Sequence, residues 1–326
     1  MTYLEFLMIV VNAVKEYAPS AAITHYKRGH IPTEDEMHMI RELNLKYANK
    51  ENSSELLVES LVVEMHEKSY ITLNLESIYE KNPTVDEIRE TIKDRVDMFS
   101  KIYDNTNSVL DKIEDFDYIK DKLTIRLLPY EENKEKLEDV VYHRFYDIAV
   151  VLYITISHED GMLNTTKVKK SFLEKWPSWR MGRGREADLF SIAAQNVIRD
   201  QHPVIGDLTS VVSDKLESVF LATPESISSY MGAALLTTSQ KTNGAVAAFI
   251  PGVADKLVEL FDDSFYVVFT SIHEAMIHKN GESVEGMYRA LDGTNRTFGE
   301  EDYLSSTIYF YDKDKKNFFP VDRPEA

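Results

Sequence analysis

The sequence predicts an α+β protein of two halves, each built on mixed or antiparallel sheets that helices cover. Three observations support this prediction. Runs rich in β-branched and aromatic residues alternate with helical patterns. Two strand-strand-helix units occur, one in each half of the chain. Tyr and Phe together number 33, which favours strands and an amphipathic core over disorder. We place the N-terminal half at residues 1–165 and the C-terminal half at 166–326, with a helical connector over 166–220.

The N-terminal half begins with two predicted helices. Residues 2–18 carry apolar side chains at intervals of three and four, which is typical of an amphipathic helix, and Pro19 ends it. Thr33 precedes Glu36 by three residues, the spacing of a capping box, and predicts a helix that begins there and runs to about residue 47.

A strand-strand-helix unit and a central strand follow. Residues 55–65 and 70–75 are predicted as strands, and Pro83-Thr84 opens a helix. Residues 123–128 form a further strand, and 131–139 a charged, helical connection. Residues 145–156 are apolar almost throughout, which predicts a central strand that is covered on both faces.

The C-terminal half contains three predicted helices and then the second strand-strand-helix unit. The helices are expected over 168–176, 186–199 and 211–220. Asn243-Gly244 is a strong hairpin signal and predicts a tight turn between strands 231–238 and 245–250. A helix over 253–261, strands over 265–269 and 275–278, a helix over 283–291 and a strand over 307–311 complete the prediction.

The charge and the cysteine count exclude several classes of function. Lys and Arg number 37 against 55 Asp and Glu, so the acidic chain carries a net charge of −18 and repels nucleic acid and anionic membranes. The chain has no cysteine, which excludes disulfides, thiolate zinc sites and cysteine nucleophiles. The apolar run near the N-terminus lacks the basic residues that precede it in a signal peptide, and no stretch approaches a membrane span. We therefore expect a cytoplasmic protein.

Four segments resemble a family of uncharacterised bacterial proteins that is common in gut Firmicutes and is catalogued as a domain of unknown function. They are ITLNLESIYEKNPTVDEIRETI, ENKEKLEDVVYHRFYDIAVVLYI, KTNGAVAAFIPGVADKLVELFDDSFYVVFTSIHEAM and YLSSTIYFYD. The last segment has a fainter similarity to YtpQ-like proteins. The resemblance implies a bacterial cytosolic protein and supplies no reaction, cofactor or ligand.

The segment around residue 273 holds the candidate catalytic residues Ser271, His273 and Glu274, which could supply a nucleophile and a base. His273-Glu274 followed by His278 is one residue too long for the zinc motif H-E-x-x-H, whose two histidines share one face of a helix. We therefore predict no metal site and no cofactor. The competing interpretation is a structured turn in which His273 bonds to the backbone.

Two further sets of residues are candidate binding residues. The first set lies in the one locally basic stretch, which also contains both tryptophans, and consists of Trp179, Arg180, Arg183 and Arg185. Arg and Trp suit phosphate contacts and base stacking, but a connector with buried tryptophans and paired arginines is the favoured interpretation. The second set consists of Arg126, Arg144 and Asp147, which lie in or beside strands and predict an ion pair or a polar site.

Two classes of function remain open. A non-enzymatic interaction or regulatory protein with an unidentified protein partner is favoured, since no catalytic spacing is complete. The alternative is an enzyme, a hydrolase that uses the turn of Ser271, His273 and Glu274. A deep pocket that gathers His273 with Arg126, Arg144 or Asp147 would favour the enzyme, whereas a His273 capped by backbone would favour the binding protein.

Overall fold

The computed structural model describes residues 1–326 except 44, 46, 51–52, 67–68, 160–161, 208–214, 228–232, 298, 300 and 325–326. The chain divides into two units, residues 1–105 and 106–326. The α+β class predicted from the sequence is confirmed. The sequence placed the division near residue 165. In the structure the strands of residues 123–167 belong to the second unit, because the apolar face of their sheet shares a core with C-terminal strands.

The first unit is a small antiparallel α+β unit. Its elements are α1 (Tyr3–Tyr17), β1 (Ala22–Tyr26), α2 (Glu34–Glu42), β2 (Tyr47–Lys50), β3 (Ser53–Leu56), β4 (Ser60–His66), β5 (Ser69–Asn74), α3 (Leu75–Tyr79) and most of α4 (Val85–Leu110). The strands form a sheet in the order β1-β4-β5 and a separate two-stranded antiparallel sheet of β2 and β3. Phe6 and Val10 of α1 pack with Leu61 of β4 and Ile88 of α4, so this unit has a core of its own.

The described residues of the second unit form two antiparallel sheets. Its elements are α5 (Phe116–Ile119), β6 (Leu123–Pro129), α6 (Tyr130–Asn133), β7 (Tyr142–Phe145), β8 (Ile148–Glu159), β9 (Met162–Lys167), α7 (Lys170–Leu173), α8 (Pro177–Arg180), α9 (Glu186–Gln201), β10 (Pro203–Gly206), β11 (Glu217–Ser218), α10 (Pro224–Ile227), β12 (Ala234–Thr238), α11 (Val253–Phe261), β13 (Phe265–Phe269), β14 (Ala275–Lys279), α12 (Val284–Thr297), β15 (Ile308–Asp312) and β16 (Asn317–Val321). Among the described residues of this unit, 3₁₀ helices also occur at Lys120–Lys122, Glu135–Leu137 and Gly244–Phe249.

The two sheets of the second unit share one apolar core. In the four-stranded sheet β8 is central and pairs with β6, β7 and β9, as the apolar run predicted. The seven-stranded sheet has the order β11-β10-β12-β14-β13-β15-β16. Alternate residues of β6 and β8, such as Ile125 and Leu152, lie in the same buried cluster as Leu236, Val267 and Phe269 of the larger sheet. Burial of alternate positions explains why these strands are so rich in branched apolar residues.

The prediction of a hairpin at Asn243-Gly244 is wrong. Asn243 does have a positive φ of 53°, but residues Gly244–Phe249 form a 3₁₀ helix instead of a strand. Both edges of β12 are already taken by β10 and β14, so the segment after residue 243 finds no free edge there. It is apolar and buries itself between the sheets as a helical turn.

Other predicted elements also differ from the structure; for example, the strand expected over 55–65 is divided into β3 and β4, and α2 ends at Glu42 instead of near residue 47. The strand expected over 145–156 is interrupted after Phe145 by a turn in which Tyr146 has a φ of 52°. The helix expected over 211–220 includes residues 211–214, which lie outside the described residues, and its remainder contains the short strand β11. Within the described part of the chain, no helix combines the length and apolarity that crossing a membrane requires.

Candidate functional site

His273 lies in the turn that joins β13 to β14, and both nitrogens of its ring are hydrogen-bonded. The backbone N–H of Asn243 donates to Nδ1 at 3.0 Å. Nδ1 is therefore the unprotonated nitrogen, and Nε2 donates to Oδ1 of Asp302 at 3.0 Å. The backbone N–H of Ile272 donates to the carbonyl of Asp302 at 2.9 Å. The ring of His273 thus connects the loops that contain Asn243 and Asp302 to the turn between β13 and β14.

The structure does not bring Ser271, His273 and Glu274 together as a catalytic set. The hydroxyl of Ser271 is buried and accepts the backbone N–H of His273 at 3.0 Å, instead of meeting the imidazole. The hydroxyl of Thr270 donates to Oε1 of Glu274 at 3.5 Å. A serine nucleophile needs a hydrogen bond to its base, and here the ring nitrogens serve Asn243 and Asp302.

Gly244 lets three backbone segments approach one another beside this turn. A Cβ at this position would lie 2.0 Å from Oγ1 of Thr237 and 2.6 Å from the carbonyl oxygen of His273. The same hydroxyl of Thr237 donates to that carbonyl at 2.7 Å. The sequence signal Asn-Gly therefore marks a close backbone approach that holds the turn of His273 against β12.

A cleft of about 670 Å³ opens next to the turn, in the second unit. It is lined by Leu128, Pro129, Glu132, Asn133, Lys136, Ile272, Asn295, Gly299, Glu301 and Tyr303. The volume falls in the usual range for ligand sites, and the lining combines apolar surface with a few polar groups, as such sites do. Ile272, next to His273 in sequence, lines the cleft, and so do Glu301 and Tyr303 on either side of Asp302. The hydrogen bonds of His273 and Asp302 therefore hold the shape of this cleft.

The electrostatics of the cleft favour positive charge. Glu132 and Glu301 contribute two carboxylates to the lining, against the single ammonium of Lys136. The pKa of the Tyr303 phenol is raised above its ordinary value, first by burial and further by the nearby carboxylates of Glu132 and Asp147. The phenol consequently stays protonated near neutral pH and can donate a hydrogen bond.

The predicted ion pair of Asp147 with Arg126 or Arg144 is replaced by a set of hydroxyl contacts. Asp147 accepts hydrogen bonds from Ser305 at 2.8 Å, Thr307 at 3.0 Å and Tyr309. Burial and the carboxylate of Asp147 raise the pKa of the Tyr309 phenol, which keeps its proton for this bond. Asp147 thus joins the start of β8 to the strand β15 of the larger sheet.

Arg126 and Arg144, the two arginines predicted as partners of Asp147, each lie against an aromatic ring. The guanidinium of Arg144 is 4.0 Å from the ring centroid of Tyr130, donates to the carbonyl of Tyr146 at 2.8 Å and pairs with Glu131 at 3.3 Å. Arg126 lies over the ring of Tyr153 at 5.4 Å, and burial lowers its pKa. Arg144 also lines a separate, mostly apolar cavity of about 310 Å³.

The basic stretch is packed against the core of the second unit. Trp176 is fully buried, as predicted, and its Nε1 donates to the carbonyl of Ile113 at 2.7 Å. The rings of Trp179 and Trp176 pack edge to face, with their centroids 6.0 Å apart. The ring of Trp179 also lies against Gly184, where an added Cβ would be 2.2 Å from a ring carbon. Glycine at 184 therefore serves ring packing and not the approach of an anion.

The arginines of this stretch have intramolecular contacts of varied strength. Arg180 donates to the carbonyl of Glu174 at 3.2 Å, and Arg185 forms a two-pronged pair with Asp188. The side chain of Arg183 is exposed. Trp176 and Trp179 contact each other and the core, and the fully buried ring of Trp176 has no face free for stacking.

The described residues contain no group of three or more His, Cys, Asp or Glu side chains that could hold a metal ion. His278 bonds to Glu282 at 2.8 Å, so the two histidines of the near-motif serve different partners. Sequence reasoning missed the cleft residues Glu132, Glu301 and Tyr303. Their segments are more than 150 positions apart, and no local spacing connects them.

The comparisons with known proteins give one similarity. The model of a family described as "Family of unknown function (DUF5688)" matches residues 23–313. No curated protein matches the chain, and no solved structure matches it either.

Proposed function

The chain belongs to the DUF5688 family of unknown function, and from that premise we propose that it is a non-enzymatic interaction or regulatory protein of the bacterial cytosol that binds a protein partner in the cleft beside His273. One observation carries the proposal: both ring nitrogens of His273 hold loops that shape the cleft. The histidine therefore supports a binding surface. The absence of cysteine is consistent with a reducing compartment, and the resemblance described above supports a bacterial source.

The charge of the protein and the lining of the cleft specify the chemistry of the partner. The chain carries a net charge of −18, which attracts basic partners and repels nucleic acid and anionic lipid. Glu132, Glu301 and the phenol of Tyr303 offer acceptors and a donor beside the apolar surface of Leu128 and Ile272. A protein segment that places a Lys or Arg next to an apolar side chain fits this combination.

Charge reversal in the cleft tests the proposal. The variant Glu132→Lys with Glu301→Lys should abolish co-purification of the partner from the native host, because it replaces both attractive carboxylates. Glu135→Lys is the matched control, since it lies in the same segment outside the cleft lining and should leave binding unchanged. The basic segment of the captured partner, made as a peptide, should bind the purified protein and lose affinity when its Lys or Arg is replaced. Equal capture by all variants would contradict the proposal.

The hydrolase alternative has its own test. Ser271 is buried and hydrogen-bonded to backbone, so we expect no hydrolysis of ester or amide substrates and no labelling of Ser271 by a fluorophosphonate probe. Hydrolysis or labelling that disappears in Ser271→Ala would establish the enzyme and overturn the proposal.

A further inference from the structure

The mostly apolar cavity of about 310 Å³ lies on the side of the four-stranded sheet that faces the shared core of the second unit. Its lining includes Ile125 of β6, Val150 of β8 and Ala194 of α9, which are each more than nine-tenths buried. None of its lining residues lines the cleft beside His273. A cavity of this volume can hold a small organic molecule of one or two rings.

Aromatic rings form the more exposed part of this lining. His143 and Phe145 are two residues apart in β7, so both side chains lie on the face of the sheet that packs against the core. The ring of His143 packs against the ring of Phe190 from α9, with the centroids 4.2 Å apart. The ring of Phe145 meets that of Phe249 edge to face at 5.0 Å. His143 is exposed and the three phenylalanines are partly exposed, so a molecule that enters from solvent can reach these rings.

The charged side chains nearest to the cavity are directed elsewhere. Arg144 is among the lining residues, but its guanidinium lies over the ring of Tyr130 and pairs with Glu131 on the opposite face of the sheet. The described lining contains no Asp, Glu or Lys. A charged ligand would therefore lose hydration in this cavity without gaining a carboxylate or an ammonium as its partner. The lining thus favours an uncharged ligand.

The rings of the lining also favour an aromatic ligand over an aliphatic one. Aromatic pairs in edge-to-face or offset-stacked arrangements are more stable than their buried area alone accounts for. A ligand ring among Phe145, Phe190 and Phe249 can form such pairs, whereas a saturated ring of the same size gains only from burial. A polar group on the ligand can remain at the exposed side of the cavity, where His143 and Ser191 lie.

We propose that this cavity is a binding site for a small uncharged aromatic molecule of one or two rings, of the phenol or indole class. The site is independent of the cleft, and the failure of either proposal leaves the other standing. The aromatic character of the ligand and its lack of charge are separate parts of the proposal, so a matched set of probes tests each of them.

The test measures binding of phenol, indole, cyclohexanol and benzoate to the full chain by calorimetry and by ligand-observed NMR. Phenol and indole should bind saturably. Cyclohexanol, the saturated match of phenol, should bind at least about threefold more weakly than phenol, because it cannot form ring-to-ring contacts. Benzoate keeps the ring and adds a charge, and it should bind at least about tenfold more weakly than phenol because its carboxylate must be desolvated.

Two variants place the binding in this cavity. Ala194→Phe should abolish phenol binding, because the added ring fills the cavity. Gln195→Phe is the matched control, since it places the same side chain at the neighbouring exposed position, outside the lining, and should bind phenol as the unmodified protein does. If Ala194→Phe does not fold, Phe190→Leu takes its place. It keeps an apolar side chain and removes a ring, so it should weaken phenol binding at least about threefold and leave cyclohexanol binding unchanged.

Four results would overturn the proposal. The first is no saturable binding of either phenol or indole. The second is equal affinity for phenol and cyclohexanol, which would indicate burial of apolar surface without a preference for aromatic rings. The third is binding of benzoate as tight as that of phenol. The fourth is unchanged phenol binding by Ala194→Phe or, where that variant does not fold, by Phe190→Leu, which would place the binding outside this cavity.

Discussion

Gly244 shows how one residue without a side chain sets the geometry next to the cleft. Its backbone lies against Thr237 and the carbonyl of His273 because no Cβ separates them. The hydrogen bond from Asn243 to His273 depends on the same approach, since Asn243 directly precedes the glycine. The φ of Asn243, 53°, brings the chain into this contact, and Asn is among the residues that adopt such a φ most readily.

We predict that Gly244→Ala lowers the free energy of unfolding by about 1 to 3 kcal/mol, because the added Cβ forces apart packed backbone segments. The matched control is Gly293→Ala in helix α12, where a Cβ meets nothing within 4 Å. That change should be neutral or stabilise by up to about 1 kcal/mol, because alanine is the better helix former. Chemical denaturation of both variants measures the difference, and equal effects would contradict the prediction.

Asp147 is a second position where one side chain connects elements that are far apart in sequence. Replacing it by Asn should destabilise the protein by about 2 to 3 kcal/mol, since hydrogen bonds from hydroxyls to a charged acceptor are stronger than those to an amide. Asp139→Asn, at an exposed position, is the control. Tyr309→Phe removes the hydrogen bond from Tyr309 to Asp147. The double variant Asp147→Asn with Tyr309→Phe should therefore lose less free energy of unfolding than the sum of the two single variants. Additive losses would show that the two residues act independently.

At the scale of elements, three helices begin with the same capping arrangement. Thr2, Thr33 and Thr84 each accept the backbone N–H of a Glu three residues later, and each Glu accepts the backbone N–H of its Thr. The sequence pattern predicted the one at Thr33. These bonds satisfy backbone donors that a helix cannot satisfy by itself. They therefore fix where α1, α2 and α4 begin.

The capping glutamates predict how stability depends on pH. Hydrogen bonds from the backbone N–H of the partner threonine lower the pKa of Glu5, Glu36 and Glu87 below the ordinary value of 4.5. A carboxyl whose pKa is lower in the folded state adds stability above its unfolded pKa, and that stability is lost as pH falls through the folded pKa. We therefore expect the free energy of unfolding to decline as the pH is lowered below about 4.5.

The variant Glu87→Gln tests this assignment, because glutamine keeps the capping geometry and cannot titrate. Its stability should fall less steeply with acid than that of the unmodified protein, as followed by denaturation at a series of pH values. Glu90→Gln, on the exposed face of the same helix, should retain the original acid dependence. Identical profiles for the two variants would refute a special role for Glu87.

At the scale of the whole molecule, the two units have separate apolar clusters. The first unit is centred on Phe6, Val10 and Leu61, and the second on residues contributed by both of its sheets. Each cluster is formed by side chains that the hydrophobic pattern places on one face of a helix or strand. Burial of these faces is the dominant favourable term in folding, so stability should not depend on a bound ion.

We accordingly predict that excess chelator leaves the Tm of the protein unchanged, since no complete set of metal ligands occurs among the described residues. Thermal unfolding with and without EDTA, followed by addition of zinc or calcium, makes the measurement. A drop of several degrees that either metal restores would contradict the prediction.

The sequence by itself determined the α+β class, the central position of β8 and the burial of Trp176. Each of these follows from local periodicity, apolar runs or backbone preferences, which act between near neighbours in the chain. Tertiary structure decided what those signals could not. It made 244–249 a 3₁₀ helix because β12 had no free edge, and it gave Asp147 hydroxyl partners instead of an arginine. It also joined His273 to Asp302 and gathered the cleft from three separate segments, because contacts between distant segments depend on sheet order and packing.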